Sequence, residues 1–302
     1  MEPTEIREIV ARTAQLVEEH YVFADVGAQV AGLLTANTDT YANHADPKAL
    51  ADNVSTDLQS VNGDKHLRLV HHETELPVED GDAGADYAKI VAESERTGGG
   101  IARVERLDGN IGVLEIRPQL FPPSVAGAAM AAAMNLLATV DALIVDVRRC
   151  PGGDPNMVAL AATYLLGEDR LRLNDLYERA GDNLLQSWTL PYVPGPRFGG
   201  TKPLYVLVGK GTFSGGEDLA YSLQQLGRAI VVGERTGGGA HPRRGFRVHP
   251  HLMAAVPVAR TVNPVSGTNW EGVGVAPDLE TAADDALDAA LSHARSQLLQ
   301  VS

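Results

Sequence analysis

Apolar residues recur at helical spacing through the first sixty residues. In residues 4–20 the apolar residues lie on one face of the predicted helix, and Glu and Arg residues lie on the opposite face. The residues of the apolar face are Ile6, Ile9, Val10, Thr13, Leu16 and Val17. A second helix is predicted over 25–34, and a third begins with Asp46 as N-cap and Pro47 at its first position and runs to Leu58. The pattern predicts a small three-helix bundle at the start of the chain.

The spacing of apolar residues changes after residue 60. Leu67 and Leu69, with Arg68 between them, alternate like a half-exposed strand. The strand follows the turn signal Asn62-Gly63-Asp64, and His66 lies where the turn meets the strand.

A domain boundary is expected next. Residues 73–86 are acidic and rich in turn formers, and 97–100 contain a glycine cluster. We therefore predict a helical N-terminal domain at 1–76, a linker at 77–100 and a second domain at 101–302.

Strands alternate with helices from residue 101 onward. A hairpin is predicted for 104–107 and 111–116 across Asp108-Gly109-Asn110. Further strands are predicted at 142–147, 204–208, 229–232, 246–248 and 253–258, with two more between 171 and 188. Helices are predicted at 125–140, 157–166, 217–226 and 284–298. This alternation predicts an α/β fold with a mixed sheet.

Composition narrows the functional classes. The 302 residues are 44% hydrophobic and carry a net charge of −14, which argues against nucleic acid or an anionic membrane surface as the main partner. Cys150 is the only cysteine, so an intramolecular disulfide and a multi-cysteine metal site are excluded. No obvious base accompanies the Cys150 thiol, which argues against Cys150 as a nucleophile. No basic and apolar leader opens the chain, and no run of about 18 apolar residues occurs. We expect a cytoplasmic protein without membrane insertion.

The strongest candidate for chemistry is Ser214, which lies between the predicted strand 204–208 and the helix after it. A hydroxyl at a helix N-terminus is well placed to attack a carbonyl while backbone N–H groups receive the oxyanion. Ser214 and Glu217 also form the pattern of a capping box. Gly215 and Gly216 are poor choices for helix stability alone, but they allow another molecule to approach the backbone. This stretch alone leaves both interpretations open.

Several stretches, in the same order along the chain, resemble those of one family. They are EEHYVFADVGAQVAGLL, DKHLRLV, LIVDVRRCPGGD, GTFSGGED, VVGERTGGGAH and NWEGVGVAPD. The chain resembles the tail-specific (C-terminal processing) serine peptidases of family S41, in the branch of tricorn protease and the interphotoreceptor retinoid-binding protein. The resemblance implies a ClpP- and crotonase-like ββα-spiral core with a small N-terminal three-helix domain. The PDZ domain of many members is missing, because residues 73–100 are too few and too polar to form one.

The resemblance also implies catalytic roles. Ser214 matches the nucleophile, His66 the base of the tricorn branch, and Glu271 the glutamate that completes the tricorn site. Gly239 stands where another branch has a lysine, so a Ser–Lys dyad is absent. His241 remains an alternative as base, substrate contact or surface histidine, and Glu271 could instead make only a turn contact.

Two glycine turns are expected to form the oxyanion hole. The donors would be the N–H of Gly215 and that of Gly152 or Gly153, although ordinary β-to-α turns would have the same sequence pattern. The residues predicted to contact the substrate are His241, Gly238 and Gly239.

The sequence thus predicts a serine peptidase or hydrolase that forms an acyl-enzyme with a peptide or small acyl substrate. No metal-site, dinucleotide or Walker motif occurs, so neither a metal nor an organic cofactor is implied. A non-proteolytic binder of a hydrophobic ligand, such as a retinoid or fatty acid, is an alternative, as is a biosynthetic acyl hydrolase or cyclase. The oligomeric state is left open, a homo-oligomer included.

Overall fold

The computed structural model describes residues 1–77 and 83–301. Its α-helices are α1 (Pro3–His20), α2 (Ala24–Ala36), α3 (Thr38–Tyr41), α4 (Pro47–Gln59), α5 (Ala83–Arg96), α6 (Pro123–Leu137), α7 (Pro155–Leu165), α8 (Gly215–Gln225) and α9 (Ala286–Val301). Its strands are β1 (Arg68–His71), β2 (Ile101–Leu107), β3 (Ile111–Ile116), β4 (Ala142–Asp146), β5 (Arg172–Glu178), β6 (Asn183–Trp188), β7 (Leu204–Val208), β8 (Ile230–Gly233), β9 (Arg243–His249), β10 (Leu252–Pro257), β11 (Ala259–Val262) and β12 (Leu279–Glu280). Among these described residues, none of the helices combines the length and apolar character that crossing a bilayer requires.

The chain groups into two compact units. The smaller unit contains Met1–Ala83, Leu176–Leu185 and His241–Thr261, and the larger unit contains Gly84–Asp175, Gln186–Ala240 and Val262–Ser302. The sequence predicts a linker at 77–100 and places all residues from 101 to 302 in one domain. The structure instead groups β9 and β10 with the N-terminal residues, because β10 pairs with β1.

The smaller unit has a helical core closed by a short antiparallel sheet. The apolar face predicted for α1 is buried, and Asp46 caps α4 by accepting a hydrogen bond from the Ala49 N–H at 2.9 Å, which confirms both features. The four-residue helix α3 was not predicted, since it is too short to show periodicity. The sheet order is β1-β10-β9, and Leu69 of β1 lies opposite Ala254 of β10.

The larger unit is built on a six-stranded sheet of order β12-β8-β7-β4-β3-β2. The β2–β3 hairpin is antiparallel and the other pairs are parallel, so the predicted hairpin and mixed sheet are confirmed. All residues of β4 and β7 are buried, as expected for central strands covered on both faces. Leu143 and Val145 pack with α6, α7 and α8, whereas Ala142 and Ile144 pack with α9.

The range predicted as a linker contains a helix. Residues 78–82 lie outside the described residues, but α5 occupies Ala83–Arg96. Ile90 of this helix is half-buried and packs against the core of the larger unit. Its amphipathic pattern was obscured by the acidic and glycine-rich residues around it.

Candidate active site

Ser214 has a backbone conformation that an ordinary helix cap does not need. Its φ of 47° and ψ of −117° lie in a region that L-residues rarely adopt, whereas the N-cap Asp46 is extended, with φ of −80° and ψ of 123°. Such a conformation costs on the order of 1–3 kcal/mol and persists where the surroundings impose it, often at functional sites. Ser214 is therefore a sharp elbow between β7 and α8, and its strain is similar to that of the strand-to-helix turn that exposes the nucleophile in α/β-hydrolases.

The turn before Ser214 is fixed to the turn that follows β4. The buried Thr212 hydroxyl donates to the Val147 carbonyl at 2.9 Å and accepts from the Gly209 N–H at 3.0 Å. The Phe213 N–H donates to the Cys150 carbonyl at 3.1 Å. These bonds hold the Pro-Gly-Gly turn and the serine turn side by side.

The predicted glycines meet at this junction. Gly152 and Gly153 have φ of 142° and 139°. A Cβ on Gly152 would lie 3.0 Å from the Cβ of Ser214 and 3.4 Å from its Oγ, and one on Gly215 would lie 2.9 Å from the Gly153 nitrogen. Among the described residues, the N–H groups of Gly153 and Gly215 have no hydrogen-bond acceptor. The structure thus brings the three glycines to Ser214, with two N–H donors available.

Glu217 is a buried carboxylate that joins the serine turn to the glycine run. One oxygen, Oε2, accepts from the N–H groups of Ser214 at 2.8 Å and Gly239 at 2.9 Å. The other, Oε1, accepts from the Gly238 N–H at 2.6 Å and the Thr236 hydroxyl at 2.5 Å. Burial raises the pKa of Glu217, and these hydrogen bonds oppose the rise. Because Gly238 and Gly239 give their N–H groups to Glu217, the predicted substrate contact would have to use other atoms of these residues.

Glu271 contacts Ala240, the residue that follows the glycine run. Its Oε2 accepts a hydrogen bond from the Ala240 N–H at 2.5 Å, and its own N–H donates to Asn269 Oδ1 at 2.9 Å. Its carboxylate thus holds the backbone of another loop and makes more than a local turn contact.

The two candidate histidines belong to the smaller unit. His241 is buried, and its Nδ1 lies 2.8 Å from Oδ2 of Asp64, so the interpretation of His241 as a surface histidine is wrong. The fully buried Asp64 also accepts from the Tyr21 hydroxyl at 2.9 Å and from the His66 N–H at 3.0 Å. One carboxylate therefore holds both the His66 backbone and the His241 ring.

Burial lowers the pKa of His66 to about 4. Asp64 opposes this shift, while Arg243, His241 and Arg68 lower the pKa further. The His66 ring is therefore neutral at pH 7, with one nitrogen lone pair able to accept a proton.

Two of these residues are not evident as functional candidates from the local sequence. Asp64 fits the turn signal Asn62-Gly63-Asp64, although its spacing of two residues from His66 is a usable signal. Glu217 fits a capping box with Ser214, which the structure contains, but its partners at 236–239 are too distant in sequence to be predicted from it. Cys150 is buried beneath the site, and burial raises its pKa to about 11, which leaves its thiol protonated at neutral pH.

Two family models match the chain. The model described as peptidase family S41 matches residues 110–281, which is more than half of the chain. A second model, the N-terminal domain of peptidase S41 in eukaryotic IRBP, matches residues 3–98.

Curated relatives match about half of the chain. The carboxyl-terminal-processing peptidase 2, chloroplastic, of Arabidopsis thaliana is 32% identical over 146 residues, covering 46% of this chain and 26% of the relative. The C-terminal processing peptidase, chloroplastic, of Tetradesmus obliquus is 30% identical over 148 residues, covering 47% and 29%. Each match therefore spans less than a third of the relative's length.

Solved structures share the fold at low sequence identity. A putative peptidase from Parabacteroides merdae has a TM-score of 0.65 and 19% identity, with 97% of both chains covered. The tricorn protease has a TM-score of 0.60 and 14% identity, covering 99% of this chain and 37% of that one. The photosystem II D1 C-terminal processing protease has a TM-score of 0.54 and 17% identity, with 92% and 93% covered. These likenesses confirm the predicted α/β fold with a helical N-terminal region.

Proposed function

The chain belongs to peptidase family S41, and on that premise we propose that it is a serine peptidase that cleaves peptides through an acyl-enzyme on Ser214. The observation that carries the proposal is the strained elbow at Ser214, with φ of 47°, beside two glycines of positive φ. A stability role alone would favour an extended N-cap residue and side chains in the adjoining turn. A nucleophile that must meet a substrate carbonyl requires a hydroxyl that the substrate can reach and a bare backbone next to it. Ser214 is half-buried, and glycines adjoin it.

In the proposed reaction, Ser214 Oγ attacks the scissile carbonyl carbon, and the carbonyl π electrons move to oxygen. The N–H of Gly215 and that of Gly152 or Gly153 donate to this oxyanion. Loss of one such donor typically costs about 10²–10³ in kcat. The leaving amine departs with a proton, and water then releases the acyl group from Ser214.

His66 is the proposed base that takes the proton of Ser214 and passes it to the leaving amine. Its neutral state at pH 7 supports the role, because only a neutral imidazole can accept the proton. We expect the acid limb of kcat/KM to follow the lowered pKa, near pH 4, and not the ordinary histidine value of 6.5. Glu271 is the proposed orienting carboxylate.

Peptide cleavage and labelling by a fluorophosphonate probe test the roles together. Ser214→Ala should abolish both, whereas Ser124→Ala, at an exposed serine in the first turn of α6, should retain both. Undiminished labelling of Ser214→Ala would refute the proposal.

The base is tested with histidine variants. His66→Gln should abolish turnover, and His44→Gln serves as the control. If His241→Gln alone abolished turnover while His66→Gln remained active, His241 would be the base. If the chain turned over small thioesters but cleaved no peptide, its substrate would be a small acyl compound and not a peptide.

A further inference from the structure

Glu217 is a buried acid to which the proposed reaction assigns no step. An ordinary helix-capping carboxylate, such as Asp46 of α4, is exposed and accepts one backbone N–H here. Glu217 is fully buried and accepts four hydrogen bonds, which occupy all four acceptor positions of a carboxylate. Burying a charge is costly unless it is paired or hydrogen-bonded in this way. A helix N-terminus could be capped with a far simpler arrangement.

The four donors come from two separate stretches of the site. One is the backbone N–H of Ser214, and the others belong to the run from Thr236 to Gly239. The hydrogen bond from the Ser214 N–H to Glu217 holds the strained backbone of Ser214. The remaining three fix the glycine run to the start of α8.

That glycine run is fixed in turn to the loop that carries Glu271. The Thr236 hydroxyl accepts from the Val275 N–H at 2.7 Å, and the Gly238 carbonyl accepts from the Gly272 N–H at 3.1 Å. The indole N–H of Trp270 donates to the Gly239 carbonyl at 2.9 Å. There is little room to shift, because a Cβ on Gly238 would lie 3.0 Å from the Gly274 nitrogen.

We propose that Glu217 is a positioning residue of the reaction, which sets Ser214 in place relative to the loop of Glu271. This inference rests on the proposed function, because it assumes that Ser214 is the nucleophile. Glu217 acts through the backbone of Ser214 and through the run 236–239, and it takes no part in bond making.

The substitution Glu217→Gln separates this role from packing. The glutamine side chain would keep the size of the glutamate, but its NH₂ group cannot accept, so two of the present donors would face another donor. The elbow and the glycine run would then be pushed apart. Misplacement of a reacting group by about 1 Å costs roughly 100-fold in rate.

The test measures fluorophosphonate labelling of the full chain, because this readout needs no knowledge of the natural peptide. Maximal labelling rate and half-saturating probe concentration are determined per folded molecule, with folding followed by circular dichroism. For Glu217→Gln we expect the maximal rate to fall about 100-fold while the half-saturating concentration changes little. Glu217→Asp keeps the charge and all acceptors on a shorter arm, so it should recover part of the rate.

The matched control is Asp46→Ala, which removes the carboxylate-to-backbone cap of α4. It should lower the melting temperature and leave the labelling rate unchanged. If Glu217→Gln does not fold, Thr236→Val, which deletes one donor to Oε1, should still reduce the maximal rate.

The outcomes distinguish this inference from the proposed function. A Ser214→Ala variant that labels normally refutes both. If Ser214→Ala is inactive while folded Glu217→Gln, or Thr236→Val in its place, labels at the wild-type rate, the positioning role is refuted and the proposed nucleophile stands. Equal losses of melting temperature in Glu217→Gln and Glu217→Asp with unchanged rates would make Glu217 a structural cap.

Discussion

Substitution of Gly152 by alanine should disable the site while leaving the fold intact. The new Cβ would lie 3.0 Å from the Cβ of Ser214, 3.3 Å from the Gly215 nitrogen and 3.4 Å from Ser214 Oγ. Carbon atoms in contact prefer about 3.5–4.0 Å, so the serine turn must move by roughly half an ångström. The methyl group would also fill the space beside Oγ that a substrate carbonyl needs.

The effects on stability and activity differ in size. Alanine at a φ of 142° costs about 1–3 kcal/mol. A loss of about 2 kcal/mol corresponds to a fall in melting temperature of roughly 4–8 °C for a protein of this size class. Blocking the oxyanion site should cost about 10²–10³ in labelling rate, as loss of one oxyanion donor does.

Labelling by a fluorophosphonate probe and thermal unfolding, measured on the same samples, check this prediction. The control is Gly199→Ala, because Gly199 also has a positive φ, of 94°, but has open space around its Cβ position. The control should lose comparable stability and keep the wild-type labelling rate. If Gly152→Ala labelled as fast as Gly199→Ala, the account of the oxyanion site would be wrong.

Three further predictions concern buried groups. Because His66 titrates at about 4 when folded and near 6.5 when unfolded, the unfolded chain binds more protons between these pH values. The free energy of unfolding should therefore fall as the pH drops from about 6.5 to about 4, by up to an amount on the order of 3 kcal/mol. His66→Gln should flatten this pH dependence in urea titrations. Identical pH dependences for the wild type and the variant would contradict the prediction. Cys150, with a pKa raised to about 11 by burial, should react with iodoacetamide at pH 8 only after unfolding, and full modification of the native chain would contradict its burial. Asp64→Ala should destabilise the chain by about 3–5 kcal/mol in thermal unfolding, since it leaves His241 and the Tyr21 hydroxyl without their shared acceptor, and a loss below about 1 kcal/mol would contradict the buried network.

Much of the fold can be predicted from the sequence, because its helices and strands have strong local patterns. The β2–β3 hairpin follows from Asp108-Gly109-Asn110, and β7 follows from an uninterrupted apolar run. Ends of elements were less predictable. Helix α8 begins at Gly215, two residues before its first predicted residue, since glycine gave no helical signal there.

Features that depend on distant partners could not be read from local patterns. Nothing near Glu217 in the sequence shows that it meets 236–239, and nothing near Asp64 shows that it meets His241. The same holds for the grouping of β9 and β10 with β1, which depends on strand pairing across the chain. The local sequence marks Ser214 as a candidate, but its positive φ is visible only in three dimensions.

The position of a covalent adduct shows whether Ser214 is the nucleophile. The full chain would be treated with a fluorophosphonate probe, digested, and mapped by tandem mass spectrometry. If Ser214 is the nucleophile, one adduct per chain is expected, on the hydroxyl of Ser214. A chain that cleaves peptides while its adduct maps to another residue, or while Ser214 stays unmodified at saturating probe, would contradict it.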